Sequence, residues 1–468
     1  MLTVLNEWYT VYTIFTIFWR YLMKGSVRKN VAIAMMVLFS LSAVYAGGNT
    51  EKSVADKPVD VWMINSPVET IISAFDAAGE NFTAETGIEV NYVRVPTNDF
   101  HTKLVSSISA GVYPDMIIWN SSPGVEFSQT GAVLPVDEIV NEIGRGQFGE
   151  GSLKMFTVDG DLLEIPFMVR PAGFHARKDW LEAAGYNTEP KIDSDGYYYY
   201  EGLQTWEELL EAAKKINDPS NGKYAMGFAY SRKAFGDSAS FCMSILYSYG
   251  ASLLDENGNV AIDSKEAIEG LEMIRKIWES GTVPSAATTW DGGSNNNFFI
   301  GGDIGMVFNS NSIMGKLNDT TAVKPEDLLM IPFPSGPAGS FMSANPESIT
   351  IFNKGNVEGA KAFTKYLLKE ETQVSMFEIM GFGYYSPLKK DVMENELFSN
   401  LNQNERVLMQ DARKAINVSF PYDPNAKLNA LYSSFLFDDA LSRIAVDGWN
   451  SERVAAEMAK KVTEVIND

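Results

Sequence analysis

From residue 59 onward, short runs of β-branched and apolar residues alternate with amphipathic stretches of helical period, which restricts the chain to layered α/β architectures. Val59-Asp60-Val61-Trp62-Met63-Ile64 predicts a first strand. Ser66-Pro67-Val68-Glu69 reads as a capping box with proline at the first helical position. Val68, Ile71, Ile72, Phe75, Gly79 and Phe82 then recur at helical spacing. Residues 88–95 predict a second strand, 100–110 a helix and 115–119 a third, apolar strand. That order implies a parallel sheet whose ligand crevice lies beyond the carboxyl ends of its strands, where Asn65, Asn120 and Ser121 fall.

Further along, Thr205-Trp206-Glu207-Glu208 opens a capped helix, 263–266 opens another, and 254–260 reads as a hairpin turn. Strands are predicted at 304–308, 328–333 and 348–352, a long helix at 357–377, and mainly helix from 404 onward. The run Tyr197-Tyr198-Tyr199-Tyr200 reads as an exposed hairpin.

Composition excludes several function classes. Lys and Arg total 38 against 60 Asp and Glu, a net charge of −22, which argues against nucleic acid or an anionic lipid surface as partner. One cysteine, Cys242, excludes a disulfide framework, and two histidines, His101 and His175, leave no histidine-rich metal site. Gly144-Arg145-Gly146-Gln147-Phe148-Gly149 has the letters of a dinucleotide fingerprint, but a helix rather than a strand precedes it, so Gly144 reads as a helix stop. Asp193-Ser194-Asp195-Gly196 and Asp255-Glu256-Asn257-Gly258 lack the distal glutamate of a calcium loop and read as turns. Cys242 and His175 read as core residues, and no catalytic residue, metal or cofactor is expected.

Aromatic residues make up 12% of the chain, and several sit in polar loops: Trp119-Asn120-Ser121, Trp290-Asp291-Gly292-Gly293-Ser294 and Gly383-Tyr384-Tyr385-Ser386. Flat rings beside amide and carboxylate groups suit the apolar faces and hydroxyl rims of sugars.

Six segments in order carry a family resemblance: Pro114-Asp115-Met116-Ile117-Ile118-Trp119; Gly131-Ala132-Val133-Leu134-Pro135-Val136-Asp137; Gly160-Asp161-Leu162-Leu163-Glu164-Ile165-Pro166-Phe167 leading to Arg177-Lys178-Asp179-Trp180-Leu181; Thr205-Trp206-Glu207-Glu208-Leu209; Phe299-Ile300-Gly301-Gly302-Asp303-Ile304-Gly305-Met306; and Lys361-Ala362-Phe363-Thr364-Lys365-Tyr366-Leu367 through Pro387. From about Val59 to its end the chain resembles the extracellular solute-binding proteins of bacterial ABC importers, the maltose-binding-protein-like carbohydrate binders among them. The resemblance implies a two-lobed periplasmic-binding-protein fold, α/β in class. Each lobe would be a mainly parallel sheet flanked by helices, joined by crossing hinge segments. Lobe one would span 58–167 and 341–391, lobe two 168–340 and 392–468.

Ligand contacts implied by position are Asn65 and Ser66, Trp119 and Asn120, and Arg170 just past the first crossing. From the second lobe come Trp290 and Asp291, Asn309 and Ser310, and Tyr432; Tyr385 is a further candidate. The implied partners are a small-molecule carbohydrate and the permease subunits of an importer, and the protein is expected to be a monomer that binds without chemistry. Arg170 leaves room for an acidic or phosphorylated ligand. Two other readings remain: a secreted carbohydrate-active enzyme, and a ferric-iron binder using Tyr384 and Tyr385.

Residues 23–46 read as a secretory signal: Lys24, Arg28 and Lys29 precede an apolar stretch that ends at Ala46. Met23 is then the expected true start, with residues 1–22 upstream of it and 47–57 a polar lead-in. No cysteine lies near Ala46 for lipid attachment, so a free periplasmic protein is expected. N-terminal sequencing of exported protein should begin at Gly47; a mature chain retaining Trp8 would defeat the assignment.

Overall fold

A computed structural model describes residues 57–467 apart from 67, 195, 235, 311, 312, 319, 344, 345, 382–384, 413 and 423–425. The expected signal, the lead-in up to 56, Pro67 and Tyr384 therefore lie outside the described residues. Strand β1 is Val59–Ile64; its alternation puts Val59, Val61 and Met63 in the core and leaves Asp60 exposed. The predicted capping box does not form. Helix α1 is Glu69–Thr86, its N-cap Val68 makes no side-chain cap, and Ser66 Oγ instead accepts the Val68 N–H at 3.1 Å. A serine oxygen satisfied two residues on is no longer free to cap the helix.

The first sheet contains β1, β2 (Val90–Val95), β3 (Met116–Trp119), β4 (Ile165–Val169), β9 (Glu347–Ile351) and β10 (Ser386–Pro387), in the order β10-β4-β9-β3-β1-β2. The second contains β5 (Ala172–Arg177), β6 (Tyr224–Met226), β7 (Ile304–Ser310) and β8 (Leu328–Ile331), in the order β6-β7-β5-β8. Among the described residues, the parallel pairs of these two sheets are β1 with β2, β1 with β3, and β6 with β7; their other pairs are antiparallel. In strand direction β1, β2, β3 and β4 run together with β9 and β10 opposed, and β6, β7 and β8 run together with β5 opposed. Each sheet is thus mainly parallel, as expected, with antiparallel strands inserted. Only Arg170 and Pro171 separate β4 from β5, so the chain passes directly from the first sheet to the second. Strand β9 returns from the far sheet and wedges between β3 and β4 in the opposite direction.

Local signals placed several helices well. Helix α2 is Thr97–Ala110 and α3 the short Pro123–Glu126. Helix α4, Trp206–Ile216, carries the full capping box: Thr205 Oγ1 accepts from Glu208 N, and Glu208 Oε2 accepts from Thr205 N, both at 3.2 Å. Gly144, at φ 103°, ends the helix Asp137–Ile143, so the dinucleotide pattern sits on a helix C-terminus. The helix expected over 357–377 is two, Val357–Leu367 and Glu370–Met380. Tyr198–Tyr199 pairs with Lys191–Ile192 as a hairpin, but Tyr200 is buried, its hydroxyl bonded to Gln403. The remaining helices used below are α5 (Gly236–Ser248), α6 (Ser294–Ile300), α7 (Ala426–Ser433) and α8 (Leu436–Ala445).

The first sheet is covered on both faces. Met116 and Ile118 join Val61, Phe75 and Phe167 on one side, while Ile117 and Trp119 join Phe100, Leu104 and Phe352 on the other. In the second sheet Phe174 meets Trp206, Phe228, Phe308 and Phe333 at ring-centroid distances of 5.3–5.8 Å. Cys242 and His175 are buried in that core, as expected. Trp119 lies at 4.4 Å from the Phe100 ring and is only 5% exposed, so core side chains occupy the ring expected to stack on a ligand. Trp119→Ala is expected to destabilise the fold by about 3–5 kcal/mol, read as a lowered urea midpoint; an unchanged midpoint would contradict this packing.

Candidate functional site

The two-residue connection from β4 to β5 puts Arg170 where the chain passes from one sheet to the other. Its Nη2 lies 3.2 Å from Glu347 Oε1 and 3.2 Å from the Tyr385 hydroxyl, which itself donates to Glu347 Oε1 at 2.9 Å. Glu347 opens β9, so the return segment is tied to the outgoing one by this triad. Glu347 and Tyr385 are buried, and Arg170 is half-buried. Burial raises the Glu347 carboxyl, opposed by the Arg170 charge and the Tyr385 hydroxyl.

A second carboxyl, on the other sheet's helices, lies within the field of the same guanidinium. Asp237, in the first turn of α5, accepts from Asn295 Nδ2 at 3.1 Å and Asn309 Nδ2 at 3.3 Å through Oδ2. Burial pushes it up to about 7, against the Asn295 hydrogen bond and the positive charge of Arg170. Asn295, on α6, also donates to the Phe308 carbonyl at 3.2 Å, locking α6 onto β7. Burial moves the phenol of Tyr432, on α7, up to about 12, against a hydrogen bond with Ser240 and reinforced by the charges of Asp438 and then Asp237. Helix α7 packs against α3, which follows β3 of the first sheet.

Of the predicted residues, Arg170 and Tyr385 share one hydrogen-bonded cluster and Asn309 joins a second around Asp237, while the charge of Asp237 reaches both Arg170 and Tyr432. The others stand apart from these. Asn65, exposed after β1, donates its N–H to the Val95 carbonyl, and Ser66 closes a turn. Asn120 is half-buried in the bend after β3, beside the core residue Trp119. Trp290 is 4% exposed and stacks on Phe298 at 5.0 Å. Asp291 is exposed and bonds Ser294 Oγ at 2.7 Å and Gly293 N at 3.1 Å, which holds its carboxyl below the usual range. Ser310 ends β7, with its side chain outside the described set.

Sequence reasoning missed Asp237, Asn295 and Glu347. Asp237 and Asn295 lie in the first turns of α5 and α6, where such residues are common for purely local reasons, and Glu347 stands ahead of an apolar strand. The charge heading Glu347-Ser348-Ile349-Thr350-Ile351 was the one available signal, since a carboxylate leading into a buried strand needs a partner. None of the predicted residues lines the cavity of about 630 Å³ between the 146–155 and 386–394 segments and the 409–422 segment. Among the described residues no group of three His, Cys, Asp or Glu is placed to hold a metal ion. No described helix is long and apolar enough to cross a membrane.

Comparison with known proteins places this geometry in a family. Residues 66–374 match the bacterial extracellular solute-binding protein family. A binding protein of Brucella abortus is 23% identical over 329 residues, covering 70% of this chain and 75% of the relative. The arabinooligosaccharide-binding protein of Halalkalibacterium halodurans is 23% identical over 367 residues, covering 74% and 76%. Among solved structures, maltose-bound MalE3 of T. maritima superimposes with a TM-score of 0.71 at 21% identity, covering 87% of this chain and all of that one. The mixed α/β sheets joined at Arg170 are accordingly the two lobes of a periplasmic-binding-protein fold, and the chain belongs to the bacterial extracellular solute-binding protein family.

Proposed function

We propose that this protein captures a neutral oligosaccharide between its lobes and delivers it unchanged to the permease of an ABC importer, acting as an exported periplasmic monomer. The observation that carries the ligand class is the charge balance around Arg170. Its guanidinium is already paired with Glu347 at 3.2 Å and lies in the field of Asp237, so the network offers hydroxyl, amide and carboxyl partners without surplus positive charge. An acidic or phosphorylated solute would need an uncompensated cation. Sugar-binding relatives with the same fold support the class. Lobe one is proposed to be 58–167 with 341–391, and lobe two 168–340 with 392–468. The ligand would meet Asn65, Ser66 and Asn120 from the first lobe and Asn309, Ser310 and Tyr432 from the second.

Capture works by differential affinity: a solute that touches both lobes favours closure only as far as it binds the closed state better. The buried polar network supplies selectivity, because a solute that leaves one of its groups unpaired forfeits about 1–3 kcal/mol. Tyr385 has its phenol committed to Glu347 rather than directed to a metal.

A thermal-shift panel of neutral oligosaccharides, sugar phosphates and ferric citrate should show a raised melting point only with neutral sugars. A shift with a sugar phosphate or iron, or product released from a labelled oligosaccharide, would overturn the proposal. Tyr432→Phe should weaken the panel's best sugar about tenfold by calorimetry while leaving the melting point of the free protein near wild type.

The Asp237 carboxyl titrates near 7 in the fold against an ordinary value of 3.8, so the folded state favours its neutral form. That contribution is complete below about pH 4 and is lost as pH rises through about 7. The melting point of Asp237→Asn should therefore gain on wild type as pH climbs from 4 to 8; a constant difference would show that Asp237 does not titrate in this window.

A further inference from the structure

Glu164 lies just before β4, is fully buried, and takes no part in the Arg170 network. Its Oε1 accepts the Val125 N–H at 3.0 Å, and the Gly124 N–H is a second donor to the carboxyl. Its Oε2 meets Ser348 Oγ, which also lies 2.9 Å from the Trp119 carbonyl. Ser348 has one hydrogen and sits between two acceptors. The count closes when Oε2 carries a proton: Glu164 then donates to Ser348, and Ser348 donates to Trp119. Burial, which pushes the Glu164 carboxyl up to about 7, acts in the same direction.

The Gly124 and Val125 contacts end directly on helix α3 and Ser348 relays the third to the end of β3, so three of the carboxyl's contacts serve residues 119–126; a fourth goes to the Thr350 hydroxyl beside Ser348 on β9. Ser122, at φ 51°, enters α3 through a left-handed conformation uncommon for a non-glycine residue. Gly124 lets the helix approach: a Cβ there would stand 2.4 Å from Glu164 Cγ and 2.8 Å from the Leu163 carbonyl. Helix α3 in turn meets α7, the helix that bears Tyr432.

We propose that Glu164 is a positioning residue whose protonated carboxyl clamps residues 119–126 in place, preforming the first-lobe wall against which the Tyr432 helix closes. That this wall faces ligand rests on the binding function proposed above; the clamp itself does not. Glutamine presents the same pattern, with its oxygen toward the Gly124 and Val125 N–H groups and its amide N–H toward Ser348. Alanine presents none of it.

Hydrogen exchange on the ligand-free whole chain tests the clamp without any sugar. Glu164→Ala should cut protection of the Gly124, Val125 and Glu126 amides at least tenfold while the β1 amides of Val61–Met63 keep theirs. Glu164→Gln should restore wild-type protection. Gly124→Ala, which wedges α3 away with Glu164 intact, should reproduce the local loss and decides the matter if Glu164→Ala does not fold. Unchanged protection at 124–126 in Gly124→Ala and Glu164→Ala would overturn the proposal. So would uniform loss across the β1 amides, or a glutamine variant as deficient as alanine. Failure of the sugar panel with the clamp intact would count against the ligand class alone.

Discussion

The pairing of Arg170 with Glu347 fixes where the two lobes meet. The chain changes sheets over only two residues, Arg170 and Pro171, and returns into the first sheet at Glu347. A charged pair with a bound phenol at that junction is poorly screened, and removing one partner strands the other in a desolvated environment. Any rearrangement of the lobes must pivot around this pair or break it. The same guanidinium lies in the field of Asp237, so the junction and the start of α5 share one electrostatic centre.

Around that centre the two lobes present surfaces held by different means. In the second lobe, Asn295 and Asn309 converge on Asp237, and Asn295 ties α6 to β7 through the Phe308 carbonyl. In the first lobe, a buried carboxyl and a serine hydroxyl hold a four-residue helix too short to be stable alone. Left-handed residues stand on both sides of the contact, Ser122 before α3 and Phe435 before α8, at φ 51° and 64°. Backbone held in such conformations persists only where its surroundings over-determine it, as these hydrogen bonds do around α3. A wall fixed before ligand arrives reduces the ordering that binding must supply.

The aromatic residues show how local context misleads. Trp119 and Trp290 stand beside Asn, Ser, Gly and Asp in the chain, as exposed stacking rings would. Both are core residues, one on Phe100 and the other on Phe298. Strand alternation decides the first case, since Ile117 and Trp119 share the sheet face that α2 covers with Phe100 and Leu104. Polar neighbours report where the chain turns, whereas burial depends on which distant element lies over the ring.

The amino-acid order by itself determined the α/β class, most strands, the Thr205 cap, the helix stop at Gly144 and the resemblance to solute-binding proteins. Each of these is written within a few residues, in period, capping and turn chemistry. The tertiary structure alone decided where antiparallel strands enter the sheets, that Arg170 is paired with Glu347, and that Glu164, fully buried, and Asp237, half-buried, are carboxyls with structural partners. Glu347 lies 177 residues from Arg170, Asn309 lies 72 from Asp237, and Ser348 lies 184 from Glu164. Hydrogen bonds and ion pairs act over a few ångströms of space, so contacts separated by that much chain come into being only when the lobes have folded.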